Sequence, residues 1–342
     1  TLPFILQQNE SKAHRCTQSV LTTSTNPTVP SNCTMTPSTE ALPYFSIVIP
    51  SYNRIRFLPE TIDSILKQTC QDFEILVVDD GSTDHTPEII RNRYNQFPNL
   101  RLIEQVNSER GTARNNGFRL AKGKYVIFID SDDMMLPEHL ETLKAYIDQL
   151  KQPRFIATKF LFLRNGKTRF TKINSLPEGW YDYKLFLSGN PMGCNVCVRR
   201  DNPKLHLFEE DRRYAIKEDW MFFLQNLRHQ QLYLINKSTI LMNDHDDRSM
   251  RSDHTIIIQK TNAAVEWLLQ KVNLSAEEIR QLQAHAAYFS AIHYYIDHRL
   301  DAAREQLRQA SRIGGWKRKY LVLYVKCLMG HQVVEQIKKL RT

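Results

Sequence analysis

The sequence predicts an α/β protein with a mostly parallel central sheet and a helical C-terminal region. Two observations support this prediction. Between residues 45 and 150, short β-branched runs alternate with segments of helical periodicity, which is the pattern of parallel βαβ units. From about residue 255 onward, the apolar residues recur almost only at helical spacing.

The first 43 residues precede the predicted sheet and differ from it in composition. They are rich in Ser, Thr, Pro, Asn and Gln and offer no periodic apolar face. We therefore expect a disordered leader over residues 1–43. The sheet domain is expected over residues 44–250, and the helical C-terminal region over residues 251–342.

Four strand–helix units make up the first part of the predicted sheet. FSIVIP leads into LPETIDSILKQT, FEILVV into TPEIIRNRYNQF, LRLIEQV into GTARNNGFRLA, and KYVIFI into LPEHLETLKAYIDQL. Pro59 stands near the start of the first helix, where its missing N–H has no helical partner to lose. This order predicts parallel strands connected by helices.

The pattern changes after residue 153. Asn165 and Gly166 separate two strand-like runs, which indicates a hairpin and an antiparallel addition to the sheet. KEDWMFFLQNLRH then has helical spacing, LYLINKSTILM is typical of a strand, and long helices follow. Cys194 and Cys197 form a C-x-x-C without a second pair or a nearby His, so we interpret MGCNVCVRR as a buried strand.

The charge distribution bears on partners and location. The chain has a net charge of +9, and residues 261–342 hold 13 Lys and Arg against 7 Asp and Glu. A nearly neutral front argues against a nucleic-acid-binding protein. We find no window of about 18 apolar residues for a membrane span, and the six scattered cysteines favour a reducing cytosol.

The basic C-terminal helices suggest one possible contact with a membrane. GGWKRKYLVLYVKCLMG combines Lys317, Arg318 and Lys319 with an apolar run. This segment either lies on the anionic inner face of the plasma membrane as a peripheral contact or packs its apolar side against neighbouring helices.

Carboxylates follow two of the predicted strands. Asp79 and Asp80 end the second strand, and Asp130, Asp132 and Asp133 follow the fourth. Ligands of parallel sheets bind beyond the carboxyl ends of the strands, where these like charges would repel one another. A divalent cation, or a sugar or base that donates hydrogen bonds, would offset them. The alternative is that each cluster only caps the helix that follows.

A phosphoacceptor receiver domain is a second interpretation of these acidic clusters. VVDD, followed later by FIDSDD, is similar to an acidic pair that binds magnesium and an aspartate that accepts phosphate. In a receiver, however, the pair ends the first strand, whereas a full strand–helix unit precedes it here.

Several motifs in the right order resemble family 2 glycosyltransferases. FSIVIPSYNR, QTCQDFEILVVDDGSTD, GTARNNGFRLAKGKYVIFIDSDD and KEDWMFF carry the resemblance over roughly residues 45–225. It implies the Rossmann-like type-A nucleotide-sugar transferase fold, with residues 44–250 as the catalytic domain. It also implies an inverting enzyme that moves a sugar from a nucleotide diphosphate to an acceptor hydroxyl in polysaccharide, glycolipid or other cell-envelope glycan synthesis.

The resemblance assigns a donor-binding role to residues of four motifs. It implies that Pro50, Tyr52 and Asn53 form part of the nucleotide cradle. Asp80 would accept a hydrogen bond from the ring N–H of the base, with Asp79 supporting the loop. Arg114 would lie beside the nucleotide.

The second acidic cluster is similar to the D-x-D element of the family. Asp130 and Ser131 would contact the ribose, and either Asp132 or Asp133 would bind Mg²⁺ or Mn²⁺. His245 resembles a histidine that completes the metal site in some relatives, although an isolated His in a polar loop is more often simply exposed.

The resemblance makes Asp219 in KEDW the general base that takes the proton of the acceptor hydroxyl. The chain lacks the Q-x-x-R-W segment and the spans of processive relatives, so we expect a single transfer. Residues 174–200 are expected on the acceptor side, where Trp180 and Tyr181 either stack on a sugar or fill core. A lipid-linked, polysaccharide or protein acceptor all remain open, as does an inactive protein that only binds sugar nucleotides.

Overall fold

The computed structural model describes residues 42–245 and 253–339. The predicted leader, apart from its last two residues, lies outside this part of the chain. Ten strands are present in it: β1 (Phe45–Ser51), β2 (Phe73–Asp79), β3 (Leu100–Glu104), β4 (Tyr125–Phe128), β5 (Met134–Met135), β6 (Phe155–Arg164), β7 (Lys167–Arg169), β8 (Gly179–Tyr181), β9 (Val196–Arg199) and β10 (Leu232–Asn243).

The described helices alternate with the first strands and then follow one another. They are α1 (Leu58–Leu66), α2 (Thr86–Tyr94), α3 (Glu109–Leu120), α4 (His139–Gln149), α5 (Glu218–Leu227), α6 (His254–Lys271), α7 (Ala276–Ile296), α8 (Leu300–Gly314) and α9 (Arg318–Lys339). α9 is interrupted at Gly330, where φ is 76°.

One sheet contains all of these strands. Eight of them follow the order β3-β2-β1-β4-β9-β6-β10-β5, while β7 pairs with β6 and β8 with β10. β1 pairs in parallel with β2 and β4, β2 with β3, and β6 with β10, whereas β9 is antiparallel to β4 and β6. β2 and β3 are added on one side of β1, and β4 on the other. This change of direction places a crevice beyond the carboxyl ends of β1 and β4. The predicted α/β fold with a mostly parallel sheet is confirmed.

The predicted hairpin is also present. β7 pairs antiparallel with β6, and Asn165 and Gly166 connect them with φ values of 50° and 72°. Positive φ at both central residues suits the twist of the flanking strands, and Asn followed by Gly adopts it readily.

The sheet is buried on both faces. All seven residues of β1 are buried, with Val48 in one apolar cluster and Ile47 and Ile49 in the other. This division follows from the alternation of side chains along a strand. Cys197 on β9 is buried as well, in keeping with the interpretation of its segment as a strand.

Gly117 brings α3 unusually close to the sheet. A Cβ atom added there would lie 2.3 Å from Cγ1 of Val48, so a larger side chain would push the helix outward. The close approach fixes α3, which carries Arg114, against the strands whose ends form the candidate site.

The C-terminal helices have a small core of their own. Ala287 and Ala291 of α7 pack with Ala303 and Leu307 of α8 and with Tyr320 of α9. The described part of the chain contains no helix that has both the length and the apolar character needed to cross a bilayer. The predicted helical region is thus a packed bundle.

Candidate active site

A cavity of about 1290 Å³ opens at the carboxyl ends of β1, β2 and β4 and extends toward the C-terminal helices. Most of the residues that the sequence analysis proposed for a site line it. These are Pro50, Tyr52, Asn53, Asp80, Arg114, Asp130, Ser131, Asp132 and Asp219. Asp133 and His245 lie behind this surface, in the region around Asp132.

Asn53 connects the loops that follow β1 and β2. Its backbone has φ of 51°, its N–H donates to Ser82 Oγ at 2.8 Å, and its side-chain Oδ1 accepts from the N–H of Thr83 at 2.8 Å. Asp79 accepts from the N–H of Ser82 at 2.9 Å. Asn53 and Asp79 therefore hold the shape of the pocket wall.

Asp80 is held in a defined orientation at the edge of the cavity. The side chain is buried, and its Oδ1 accepts from Gln105 Nε2 and from the N–H of Ser108, both at 2.7 Å. Among the described residues, no donor is recorded on Oδ2. This oxygen can accept a hydrogen bond from a ligand N–H.

Asp130, Asp132 and Asp133 form an acidic cluster after β4. One carboxylate oxygen from each lies within 4.8 Å of the others. Hard oxygen ligands of this kind suit Mg²⁺ or Mn²⁺, and a cation would offset the repulsion among the three charges. The residues present therefore fit the divalent metal that the resemblance implies.

The contacts of Asp132 and Asp133 differ. Asp133 is 1% exposed, and its oxygens accept from the N–H of Asn243 at 3.1 Å and from Asn195 Nδ2 at 3.4 Å. Asp132 lines the cavity, and its Oδ2 lies 2.7 Å from His245 Nε2. This geometry favours Asp132 as the ligand that faces the cavity and Asp133 as a residue that supports the cluster.

His245 is held in place by a ring contact as well. Its imidazole stacks on Phe57, with the ring centroids 4.2 Å apart. A histidine fixed beside an aspartate can act as a metal ligand or can orient the aspartate that binds the metal. The structure thus places His245 at the acidic cluster, as the resemblance implies.

Arg114 joins the two sides of the cavity. Its guanidinium is buried, with Nη2 donating to Asp130 Oδ1 and Nη1 donating to Glu218 Oε1, both at 2.7 Å. Its terminal nitrogens are thus bound to protein carboxylates. These contacts position the carboxylates of Asp130, which follows β4, and of Glu218 in α5. Arg114 also lines the cavity, and its place beside the nucleotide stays a prediction from the resemblance.

Asp219 lies in the first turn of α5. Its Oδ1 accepts from the N–H of Trp220 at 2.6 Å, and its Oδ2 accepts from Asn190 Nδ2 at 2.9 Å. Burial, followed by the charge of Glu218, raises the pKa of Asp219 to about 6. A carboxylate with a pKa near neutrality is suited to general base catalysis.

The turn before α5 is strained. Ile216 has φ of 70°, which is a rare conformation for a β-branched residue. Ile216 and the next residue, Lys217, both line the cavity, and burial lowers the pKa of Lys217 to about 8. Strain of this kind occurs where a fold holds functional residues in place.

Trp180 is not among the residues that line the cavity. Stacking of Trp180 on a sugar was one alternative in the sequence analysis, but its ring packs against Tyr233, with the ring centroids 5.1 Å apart. Part of the cavity wall comes from the segment of residues 174–200 that we expected on the acceptor side, namely Ser188, Gly189, Asn190, Pro191 and Gly193.

The sequence analysis did not assign His285, Phe289 and Lys319 of the C-terminal helices to a site, and they also line the cavity. His285 and Phe289 do not stand in a local motif that could have signalled this position.

Comparisons with known proteins agree on the family. The glycosyl transferase family 2 model matches residues 46–200. Two uncharacterized glycosyltransferases of Haemophilus influenzae are similar to the chain. One is 27% identical over 250 residues, which are 72% of this chain and 83% of the relative. The other is 32% identical over 195 residues, which are 55% of this chain and 73% of the relative.

A longer relative and a solved structure extend the comparison. Chondroitin synthase of Escherichia coli is 36% identical over 156 residues, which are 46% of this chain but only 22% of that enzyme. The crystal structure of S. aureus TarS 1–349 in complex with UDP-GlcNAc has a TM-score of 0.61 at 19% identity and covers 84% of this chain and 92% of its own. That likeness shows the same type-A fold.

The family match replaces the receiver-domain interpretation. The acidic pair of this chain lies at the end of β2 rather than of β1. The matched region spans the first three motifs on which the resemblance was based, whereas KEDWMFF follows it at residues 217–223. The chain belongs to the family 2 glycosyltransferases.

Proposed function

We propose that the chain is an inverting, metal-dependent transferase that moves one sugar from a nucleotide diphosphate to an acceptor hydroxyl. The observation that carries the proposal is a cavity lined by Asp130 and Asp132 of the acidic cluster and also by Asp219. Arg114 connects the two by binding Asp130 and Glu218. Donor binding and proton removal are thereby assigned to adjoining parts of one site.

The loops after β1, β2 and β4 would bind the donor. The Oδ2 of Asp80 accepts the ring N–H of the base, while Pro50 and Tyr52 form the wall beside it. Asp130 and Ser131 contact the ribose. Asn53 acts indirectly, because its side chain is used to hold the neighbouring loop.

The acidic cluster would hold a divalent ion. Asp132 faces the cavity, with Asp133 and His245 in support, and the group they suit is Mg²⁺ or Mn²⁺. When bound, the ion supplies positive charge that stabilises the departing nucleoside diphosphate. Asp132 and His245 keep their side chains in position through their mutual contact at 2.7 Å.

Asp219 would act on the acceptor. Its carboxylate takes the proton of the acceptor hydroxyl as the oxygen attacks the anomeric carbon, and the bond to the diphosphate breaks on the opposite side. This single displacement inverts the configuration of the sugar. Asn190 orients the carboxylate by donating to Oδ2.

We further propose a role in polysaccharide, glycolipid or other cell-envelope glycan synthesis on the cytoplasmic side of the membrane. The relatives include an enzyme named chondroitin synthase. The acceptor classes to test are therefore glycans, lipid-linked acceptors and proteins. Cys70, Cys194, Cys197 and Cys327 are free thiols, which fits a reducing compartment.

A peripheral contact with anionic lipid is part of this proposal. Leu321, Val325 and Leu328 are 50%, 43% and 61% exposed on one face of α9, and Arg318 and Lys326 lie on the same helix. Sedimentation of the full chain with phosphatidylglycerol vesicles tests this contact. Recovery with the vesicles should fall in the Leu321→Gln and Leu328→Gln variants and should stay unchanged in the control variant Leu120→Gln on α3. Unchanged recovery with phosphatidylglycerol vesicles would rule out the contact.

Calorimetric titration tests the central proposal. UDP, GDP and dTDP are each added with and without Mn²⁺, and we expect one of them to bind with a strong dependence on Mn²⁺. UDP is the first choice, because the similar TarS structure holds UDP-GlcNAc. Failure of all three nucleotides to bind in the presence of Mn²⁺ would contradict the proposal.

A further inference from the structure

The end of the cavity formed by the later parts of the chain is basic. Lys172 from a short 3₁₀ helix, Lys217 from the turn before α5 and Lys319 from the first turn of α9 all line it. Within the described residues, no ion pair to a carboxylate is recorded for these three ammonium groups. The charges of Asp219 and Glu218 act favourably on Lys217.

His285 of α7 lies at the centre of this basic end. Its ring packs under Gly189, where a Cβ atom would lie 2.9 Å from the imidazole, and against Trp220, with ring centroids 5.7 Å apart. Its buried Nδ1 has no hydrogen-bond partner in the described part of the chain. A buried polar atom without a partner is costly.

Four lysines act electrostatically on this one ring. Burial, followed by the charges of Lys319, Lys217, Lys172 and Lys317 in that order, lowers the pKa of His285 to about 3. The lysines therefore come together from separate elements around the same part of the cavity.

The lysines also repel one another. Burial, followed by the charges of Lys317 and Lys172, lowers the pKa of Lys319. Like charges gathered in a partly buried cleft are unfavourable unless an opposite charge offsets them, and they concentrate a field that attracts anions. The aromatic rings of Phe289 and Tyr288, 3.9 Å and 4.5 Å from Lys217 and Lys319, offset this only in part.

We propose that this basic end binds an anionic group, a phosphate or a carboxylate, that the acceptor carries close to the hydroxyl deprotonated by Asp219. The inference rests on the proposed transferase function and specifies the acceptor class of the same site. Phosphate-linked polyols and glycans with uronic acids share the required chemistry. Lys172, Lys217 and Lys319 supply the positive charge at this end of the cavity, and His285 forms part of the wall beside them.

Binding of defined polymers to the full chain tests the inference. UDP and Mn²⁺ are first added at saturation, so that the donor end is filled. Poly(glycerol phosphate), polygalacturonate and dextran are then titrated in separate calorimetric runs. We expect at least one charged polymer to bind about tenfold more tightly than neutral dextran, and the preferred polymer identifies whether phosphate or carboxylate is bound. Dextran binding as tight as that of both charged polymers would overturn the inference.

A double variant links the binding to the lysines. Lys172→Gln with Lys319→Gln keeps side-chain length and removes two charges, and we expect about tenfold weaker binding of the preferred polymer. UDP affinity should stay unchanged, which also reports that the variant is folded. Lys237→Gln, at an exposed position on β10, is the matched control and should change neither affinity.

The two proposals fail in different ways. A double variant that binds the charged polymer as tightly as the unmodified chain overturns the basic acceptor site, whatever happens to UDP. Absence of binding by UDP, GDP and dTDP alike contradicts the transferase proposal, and the lysine dependence of polymer binding is then still measured on its own.

Discussion

The two ends of the cavity are built in opposite ways. The donor end comes from loops that directly follow β1, β2 and β4 and carries carboxylates, among them Asp80 and Asp132. The other end comes from residues 172–193, the turn before α5 and the C-terminal helices, and it carries lysines such as Lys319. The acidic end suits a metal ion and the N–H groups of the nucleotide donor, whereas the basic end suits an anionic acceptor. Binding and chemistry should therefore respond separately to substitutions at each end.

Replacement of Asp219 should give the largest change in transfer rate, and it should affect the acceptor end of the cavity without affecting the donor end. Asp219→Asn keeps the size of the side chain but removes the base, so we expect the transfer rate to fall by about 10²- to 10⁴-fold. UDP affinity should remain unchanged, because Asp219 lies on the acceptor side. Initial rates and calorimetry on the same preparation measure both.

The control for this substitution is Asp201→Asn. The side chain of Asp201 is 78% exposed, so Asp201→Asn should leave the transfer rate and the UDP affinity unchanged. A retained transfer rate in Asp219→Asn would remove the base from the proposed mechanism.

The donor end could be predicted from the sequence because its motifs are local. PSYNR, DDGSTD and DSDD each follow a strand, and parallel pairing brings the carboxyl ends of those strands together. The four strand–helix units were predicted for the same reason. Alternation of β-branched runs with helical spacing depends only on neighbouring residues.

The basic end could not be predicted in this way. Lys172, His285 and Lys319 are far apart along the chain, and no local motif relates them to one another. Only the packing of α7 and α9 beside α5 brings them to one cavity. Arg114 was noticed for its motif, but its contacts with Asp130 and Glu218 depend on residues 16 and 104 positions away.

Arg114 provides the next largest effect, because it joins the two ends. Arg114→Met removes the 2.7 Å ion pair of the buried Glu218 carboxylate and leaves only the longer contact with Arg110 at 4.0 Å, so we expect the free energy of unfolding to fall by about 3 kcal/mol. Both UDP binding and transfer should weaken together, unlike in Asp219→Asn. Urea denaturation measures the stability.

The control for Arg114 is a surface arginine. Arg91→Met removes an ion pair with Glu104, in which both side chains are about half exposed, and should cost less than about 1 kcal/mol. Equal losses of stability in the two variants would show that the buried network contributes no more than a surface pair.

His245 tests the acidic cluster alone. His245→Ala removes the contact with Asp132 Oδ2, so we expect Mn²⁺ to bind about 10- to 100-fold more weakly in the presence of UDP. Calorimetric titration with Mn²⁺ measures this, and polymer binding at the basic end should be unaffected. His85→Ala is the control, since that side chain is 86% exposed. An unchanged Mn²⁺ affinity would assign His245 to the loop rather than to the metal site.

The pH dependence should give the smallest effect and should again separate the ends. Burial and the charge of Glu218 raise the pKa of Asp219 from 3.8 to about 6, so the base is increasingly protonated and inactive as the pH falls below 6. We expect kcat/KM to decrease about tenfold for each pH unit below that midpoint, while UDP affinity follows a different profile. Asn190→Ala removes a hydrogen bond that favours the charged carboxylate, so the midpoint should move upward. A midpoint near the ordinary value of an aspartate, unmoved by this substitution, would mean that the cavity does not tune Asp219, and the acceptor end would then act by binding alone.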